Sequence, residues 1–266
     1  MKPAPFAYHR PTTREQVDEL LAELGAEAKV LAGGQSLLPI LNMRLAAPAH
    51  VIDINFLQDE PADPLLADGA LSFGPLVRLR AAERSALVAE RLPLLAQVLF
   101  HVAHPAIRSR GTVVGSIAHA DPAAELPAVL VLLEGEARVR SMGGRRTVPS
   151  RELFAGHLET SLGPGEWIDE VRMPLQDGRG AAFEEFARRQ GDYALCGVAA
   201  LLFGDRIALS FVGMGATPAR FEVDDVRAAV EQLEPEDDIH ATARYRRWLA
   251  ERLGERAVRR VRGGAP

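Results

Sequence analysis

Two short segments hold the residues whose types and spacing could do chemistry. In the first, over 30–39, an apolar run ends in Gly33 and Gly34 and continues as Gln35, Ser36 and Leu37. Adjacent glycines lack Cβ atoms, so the chain can take φ > 0 and a bulky ligand can approach its N–H groups. Ser36 is placed to cap a helix whose first turn contains Pro39, where a missing N–H costs nothing. A strand, a glycine turn and a helix start gather unpaired N–H groups and the positive end of a dipole, which suits a phosphate. The same residues also suit a plain strand-to-helix turn, and two glycines alone do not separate the readings.

The second segment, over 111–127, is again small and glycine-spaced, and it passes through Asp121 and Pro122 into an expected helix starting at Glu125. Two such segments can clamp a long ligand that carries phosphates and hydroxyls. Carboxylates accept from hydroxyls but repel phosphate, so Asp121 and Glu125 should lie away from any phosphate. Asp121 serves equally well as the N-cap of the following helix. No Gly-x-Gly-x-x-Gly opens a helix and no Gly-x-x-x-x-Gly-Lys-Ser/Thr occurs, which disfavours the common nucleotide folds. No Gly-x-Ser-x-Gly elbow or catalytic Cys–His motif is present. His101, His104 and His119 offer a His-x-x-His spacing, but no carboxylate set completes a metal site.

The elements that must position these segments follow from periodicity. A helix is expected over 13–24, opened by a Thr13 and Gln16 capping box and stopped at Gly25. Strands over 29–32 and 50–54 flank a short helix over 37–45, and a loop covers 57–70. A strand over 70–74 precedes helices over 79–85 and 92–103. Beyond the second segment come a helix over 125–133 and a hairpin at Gly143 and Gly144. A helical turn over 150–154 and a half-buried strand over 167–174 follow. Periodicity breaks over 175–180. Strands then run over 181–188, 197–203 and 206–212, with helices over 226–233 and 242–253 and a basic, solvated tail.

The 266 residues, 47% hydrophobic and 25% charged, can bury a sizeable core in one large domain or two. A net charge of −5 argues against a general nucleic-acid binder. There is no apolar run of about 18 residues, so no membrane span is expected. The N-terminus lacks a secretory h-region, and a cytoplasmic location is expected. Cys196 is the only cysteine, so thiolates from this chain cannot hold an iron–sulfur cluster. In its apolar run it is expected to be a buried small hydrophobe.

Ala32-Gly33-Gly34-Gln35-Ser36, together with Gly111-Thr112-Val113-Val114-Gly115-Ser116-Ile117-Ala118-His119-Ala120-Asp121-Pro122, resembles the FAD-binding medium subunit of the molybdenum hydroxylases. That family includes carbon monoxide dehydrogenase and the xanthine dehydrogenase flavoprotein. Gly191-Asp192-Tyr193-Ala194 and the 237–246 stretch are similar to its C-terminal domain. The resemblance implies an α+β chain with a two-subdomain FAD-binding fold of the vanillyl-alcohol oxidase / p-cresol methylhydroxylase type. The FAD-binding domain would cover 1–176, with subdomains of about 1–56 and 57–176, and an antiparallel β plus helix domain would cover 177–266. It implies cofactor contacts from Leu31, Ala32, Gly33, Gly34, Gln35, Ser36 and Leu37, and from Thr112, Gly115, Ser116, Ile117, Asp121 and Glu125. Ile117 would press on the isoalloxazine, and Tyr193 would stack on it or gate it, unless Tyr193 is a core residue. No residue of this chain is assigned acid–base catalysis. FAD would be non-covalent, since Gln35 cannot form the flavin bond that His or Cys can. One departure is Val114, which adds a Cβ where the family usually has glycine and would crowd a close approach.

The implied activity is that of an oxidoreductase subunit. Electrons would come from a small subunit with 2Fe-2S clusters, fed by a large subunit with molybdenum cofactor, and leave to NAD or oxygen. The rival is a self-contained FAD oxidoreductase acting directly on a small molecule. Arg188 and Arg189 either steer an anionic acceptor or are ordinary surface charges.

Overall fold

Parallel pairing of short strands needs crossover connections, and the first third of the chain supplies two. The computed structural model describes residues 2–176 and 178–263. Strands β1 (Ala7–His9), β2 (Ala28–Leu31) and β3 (His50–Asp53) form a sheet of order β1-β3-β2, with both pairings parallel. Helix α1 (Arg14–Leu24) crosses from β1 to β2, and α2 (Leu37–Met43) crosses from β2 to β3. Thr13 caps α1 by accepting from the Gln16 N–H. The Gln16 side chain accepts from the Thr12 N–H, one residue earlier than a standard capping box. Gly25 ends the helix at φ 54°, where glycine is cheapest. Asp18 of α1 is buried because Trp167 Nε1 and Arg140 Nε both donate to it, at 2.8 and 2.6 Å.

The middle of the chain forms an antiparallel sheet of order β4-β5-β10-β6-β7. Its strands begin with β4 (Leu65–Ala67) and β5 (Ala70–Phe73), which lead into a run of short helices. These are α3 (Leu79–Arg84), α4 (Ala86–Arg91), α5 (Pro93–Leu99), α6 (Pro105–Arg108), α7 (Val113–His119) and α8 (Glu125–Leu132). The sheet resumes with β6 (Glu136–Ser141) and β7 (Gly144–Pro149), followed by α9 (Ser150–Leu153). A small ribbon of β8 (Phe154–Gly156) and β9 (Glu159–Thr160) precedes β10 (Trp167–Pro174). Helix α8 is buried along its whole length, as its unbroken apolar run after Glu125 requires.

The last sheet, of order β11-β12-β13-β14, is antiparallel. It consists of β11 (Ala181–Phe186), β12 (Cys196–Phe203), β13 (Arg206–Val212) and the edge strand β14 (Arg220–Val223). Helices α10 (Val226–Val230) and α11 (Ala243–Val261) complete the chain. The side-chain period of two splits β12 cleanly. Cys196, Val198 and Ala200 pack toward α11, whereas Ala199 and Leu201 join the core built on α5 and α8. The C-terminal sheet is thus covered on both faces, and Cys196 is fully buried as expected.

Several expectations need correction. The helix expected over 92–103 is shorter than foreseen: α5 begins at Pro93, which suits a first helical position, and ends at Leu99, so 100–103 is not helical. The 57–70 loop contains edge strand β4, and the 111–120 segment is itself helix α7. The tail after 253 is not a loose end, since α11 continues to Val261 with Ala257 fully buried, although Arg256, Arg259 and Arg260 on its other face are exposed as expected. Ser36 occupies the N-cap position of α2 but is in the α region, and its hydroxyl makes no capping bond. The foreseen boundary includes Asp177, which lies outside the described residues, as do Met1 and 264–266.

The first two units meet at a glycine. A Cβ on Gly33 would lie 2.3 Å from the Arg110 carbonyl oxygen and 2.7 Å from Gly111 Cα. Backbone cannot yield as a flexible side chain can, so even one methyl must push the two loops apart. Gly33→Ala should therefore destabilise the chain by about 1–3 kcal/mol, the range of overpacking. A denaturant midpoint measurement checks this, and wild-type stability would contradict the contact.

Candidate functional site

The two glycine segments face each other across a cavity of about 650 Å³, within the range of roughly 300–1,000 Å³ typical of ligand clefts. Its walls come from all three sheets' surroundings: the 32–37 turn after β2, helix α7 with the loop to α8, and the 191–193 turn after β11. All the residues implicated above line it except Leu31 and Ile117.

The first wall is a strand end turned by glycine. Gly34 has φ 74°, and a Cβ there would meet Leu38 Cδ1 at 2.9 Å. The two glycines therefore serve different needs, Gly33 a close loop contact and Gly34 a left-handed conformation. The N–H groups of Gly34, Gln35 and Ser36 have no hydrogen-bond partner among the described residues. With only seven residues in α2, those free N–H groups matter more for an anion than the helix dipole does. The Gln35 amide donates to Gly33 O at 3.0 Å, so part of its donor capacity holds the turn rather than a ligand. Leu31 backs the turn, with Cδ1 beside Gly34 and Leu38.

A hydrogen-bonded frame that the sequence reading did not foresee fixes this turn. Asn55 Nδ2 donates to Ala32 O at 2.7 Å and to Asp53 Oδ1 at 2.6 Å. Asp53 also accepts from the Tyr8 hydroxyl at 2.5 Å, and that bond raises the tyrosine pKa. Arg78 then donates to Asn55 Oδ1 and to Arg110 O, both at 2.6 Å, tying the first segment's frame to the second segment. The available signal was Asp53 and Asn55, two polar residues ending the apolar run Val51-Ile52.

The second wall is α7. Thr112 caps it, its Oγ1 accepting from the Gly115 N–H at 2.9 Å. Helical spacing then decides which side chains face inward. Val113, Val114 and Ile117 enter the core, whereas Gly115, Ser116 and His119 border the cavity. The expected role of Ile117 against a flavin ring is thereby corrected, since its side chain is fully buried on the opposite face. Val114 also borders the cavity, but at 4% exposure it belongs to the core and does not project as a crowding group. Asp121 does not cap α8, whose N-cap is Ala124. Its Oδ1 instead accepts from the Ala123 N–H at 2.8 Å in a local turn.

The third wall carries Tyr193, which is 63% exposed and so not a core residue. Partial desolvation against the cavity wall and the neighbouring Asp121 carboxylate push its hydroxyl pKa up. Gly191, at φ 85°, packs so tightly on the His104 imidazole that a Cβ would lie 2.5 Å from it. Arg188 and Arg189 are exposed on the same connection. His101 packs edge-on against Phe183, and His119 lines the cavity. Among the described residues, no three His, Cys, Asp or Glu side chains are placed to hold a metal. Cys196 is raised to about 12 by burial and stays a thiol.

Charge is distributed unevenly around the cavity. Asp121 lies beyond the C-terminal end of α7, about 10 Å of helix from Thr112 at the rise of 1.5 Å per residue. Glu125, 6% exposed, has its pKa raised to about 8, first by burial and then by the charge of Glu185. The glycine turn thus offers bare N–H donors, and the other end offers carboxyls that suit hydroxyl groups.

The residues present fit a dinucleotide cofactor such as FAD: bare N–H groups for phosphate, distant carboxyls for sugar hydroxyls, and apolar walls between. Comparison with known proteins agrees with that chemistry. Residues 4–176 match the family described as the FAD binding domain in molybdopterin dehydrogenase. The chain is 38% identical to the alpha subunit of the 6-hydroxypseudooxynicotine dehydrogenase complex of Paenarthrobacter nicotinovorans, covering 98% of this chain and 97% of that one. It is 34% identical to the carbon monoxide dehydrogenase medium chain of Hydrogenophaga pseudoflava, covering 97% of each. Its structure resembles that of a chain of reconstituted carbon monoxide dehydrogenase from Oligotropha carboxidovorans, with a TM-score of 0.94 and 29% identity over 100% of both. No helix among the described residues is long and apolar enough to cross a membrane.

Glu125 gives the ligand-free site a pH signature. In the unfolded chain its carboxyl ionises near 4.5, but in the fold it keeps its proton to about 8. Folding is therefore favoured by this group at low pH, and that contribution is lost as pH rises from about 4.5 to about 8. Urea midpoints of the ligand-free chain should fall across that window, and Glu125→Gln should flatten the fall. Parallel curves for the two proteins would show that Glu125 ionises normally.

Proposed function

Because the chain belongs to the family of FAD-binding domains of molybdopterin dehydrogenases, we propose that it is the electron-transfer flavoprotein subunit of a molybdenum hydroxylase. The observation that carries this reading is the pairing of free N–H groups at 34–36 with the α7 wall across one cavity. The diphosphate rests on the Gly33 to Ser36 turn, and the Ser36 hydroxyl, unused as a cap, adds a donor. Asp121 and Glu125 accept from ribityl or ribose hydroxyls, and the isoalloxazine end lies toward Tyr193. FAD, when bound, supplies the ability to take electrons singly and release them as a pair. The chain's own residues place that cofactor, shield its diphosphate and hold its ring edge near the surface. The fold type is that of the vanillyl-alcohol oxidase / p-cresol methylhydroxylase flavoproteins, with the FAD-binding part ending near residue 176.

The single cysteine supports the division of labour. This chain cannot ligate an iron–sulfur cluster by thiolates, so a small 2Fe-2S subunit delivers the electrons and a large molybdenum-cofactor subunit oxidises the substrate. The names of the relatives, a complex subunit and a medium chain, support that assembly. NAD or oxygen takes the electrons away, and the heterotrimer works in the cytoplasm.

Purification from the native host should bring down two further subunits. Acid or heat should release FAD into the supernatant, because Gln35 cannot form a flavin bond. The lone FAD-loaded chain should not oxidise aldehydes, purines or carbon monoxide with a dye acceptor, and adding both partners should restore flavin bleaching by substrate. Substrate turnover by the lone chain would instead establish a self-contained oxidoreductase.

A further inference from the structure

With Ile117 held in the core by α7, an apolar contact for a flavin ring has to come from another element. Backbone conformation points to one. Seven residues other than glycine have φ > 0 among the described residues, and Leu158, at 57°, is the one large apolar side chain among them. In that region the Cβ of an ordinary residue crowds the following carbonyl, so the conformation persists only where its surroundings offset the strain.

Two others of the seven lie at the same cavity, and the chain itself supports each. Ala103 lines the cavity at φ 45°, and its carbonyl and that of Val102 each accept from Arg108 Nη1 at 2.8 Å. Arg108 is buried and makes a two-pronged pair with Glu83, at 3.0 and 3.2 Å. Ala120, at φ 53°, closes α7 with its N–H on Ile117 O, a place where left-handed backbone is common.

Leu158 has no comparable support. His157 and Leu158 form the turn between Gly156 and Glu159, which pair across the β8–β9 ribbon. Where a tight turn takes φ > 0 at its second central position, glycine or asparagine fits at least cost. Leu158 is 47% exposed, so burial within the ligand-free chain offsets little of the strain. Its N–H donates to Ala120 O at 3.2 Å, a bond that any residue except proline would make there.

That bond nevertheless fixes where the side chain stands. Ala120 precedes Asp121, the carboxylate beside the Tyr193 hydroxyl. Leu158 and Tyr193 therefore reach the acidic end of the cavity from two separate connections, and both line it with exposed side chains. Exposed apolar surface at a cavity wall becomes favourable once a flat apolar group covers it. The opposite end of the cavity, with its bare N–H groups, offers nothing of this kind.

We propose that Leu158 is a ligand-contact residue, with the β8–β9 tip covering the isoalloxazine ring of bound FAD in the role expected of Ile117. The proposal deepens the FAD reading above and rests on it. The strain at the tip is offset when the ring takes the leucine side chain out of water. An apolar cover at this end makes the site prefer a ligand that carries the flavin ring over adenosine diphosphate alone.

Two variants separate a ring contact from a turn residue. Leu158→Asn keeps a residue that tolerates φ > 0 and removes the apolar group, whereas Leu158→Met keeps the apolar group. Each is titrated with FAD and with ADP, which carries the adenosine and diphosphate of FAD but no flavin. Leu158→Asn should lose FAD affinity by roughly 10- to 100-fold, the range for one leucine-sized contact returned to water. Its ADP affinity and its ligand-free urea midpoint should match those of the wild type, and Leu158→Met should bind FAD nearly as the wild type does. Unchanged FAD affinity in Leu158→Asn overturns the contact. Equal losses for FAD and ADP, or a lowered midpoint, make Leu158 a turn residue and overturn it as well. A wild type that binds FAD no more tightly than ADP has a diphosphate site without a ring contact, so this proposal alone falls. A wild type that binds neither removes the FAD reading, and the Leu158 contact with it.

Discussion

A contact between two backbones, with no side chain between them, sets the geometry on which the rest depends. Gly33 rests directly against the Arg110–Gly111 peptide, where a Cβ would come within 2.3 Å of a carbonyl oxygen. This closeness brings a parallel βαβ unit and an antiparallel sheet with its helices into one wall-to-wall arrangement. Arg78 then fastens the pair, because its guanidinium reaches both Asn55 and the Arg110 carbonyl. Guanidinium geometry suits this task, with fixed donors pointing at two acceptors at once. Asn55 carries the constraint onward to Ala32 O, so the turn that presents free N–H groups is held from beneath. Removing such a frame costs more than its individual hydrogen bonds suggest, since each group is oriented by the next.

The same economy of small residues governs the third unit. Gly191 lies against the His104 ring and brings Tyr193 to the cavity mouth. Arg246, buried in α11, donates to Leu195 O and to Asp238, and so anchors the chain just beyond that tyrosine. A sheet covered on both faces gives this anchor a rigid support. The cavity is therefore bounded by three separately stabilised pieces, and each contributes a different chemistry: bare N–H donors, carboxyls and an exposed aromatic.

Much of this was legible in the sequence where one physical signal dominates. Trp167 to Pro174 alternates apolar and polar residues, and the strand has those bounds. The hairpin closed at Gly204 and Asp205 likewise pairs Phe203 with Arg206. The glycine turn was legible because Gly33 and Gly34 have few uses other than close approach and positive φ. Helix α7 was not, because Gly115 and Ser116 are poor helix formers and only burial of Val113, Val114 and Ile117 supports it. That omission also misdirected Ile117, whose orientation follows from a helix the periodicity did not announce. The Asn55 and Arg78 frame is a long-range arrangement, and nothing local in the chain pairs those two residues. The fate of the C-terminal basic stretch was hidden for the same reason, since Ala257 and Val261 are buried only by the sheet they pack on.

The central claim is that the two glycine segments together hold one FAD. Backbone amide shifts in a heteronuclear NMR titration of the ligand-free chain with FAD test it most directly. The claim predicts that the largest shifts fall jointly on the N–H groups of 33–36 and 112–116, saturating at the same FAD concentration, with Tyr193 following them. Shifts confined to one segment, or centred on the outer face of α11, would contradict it.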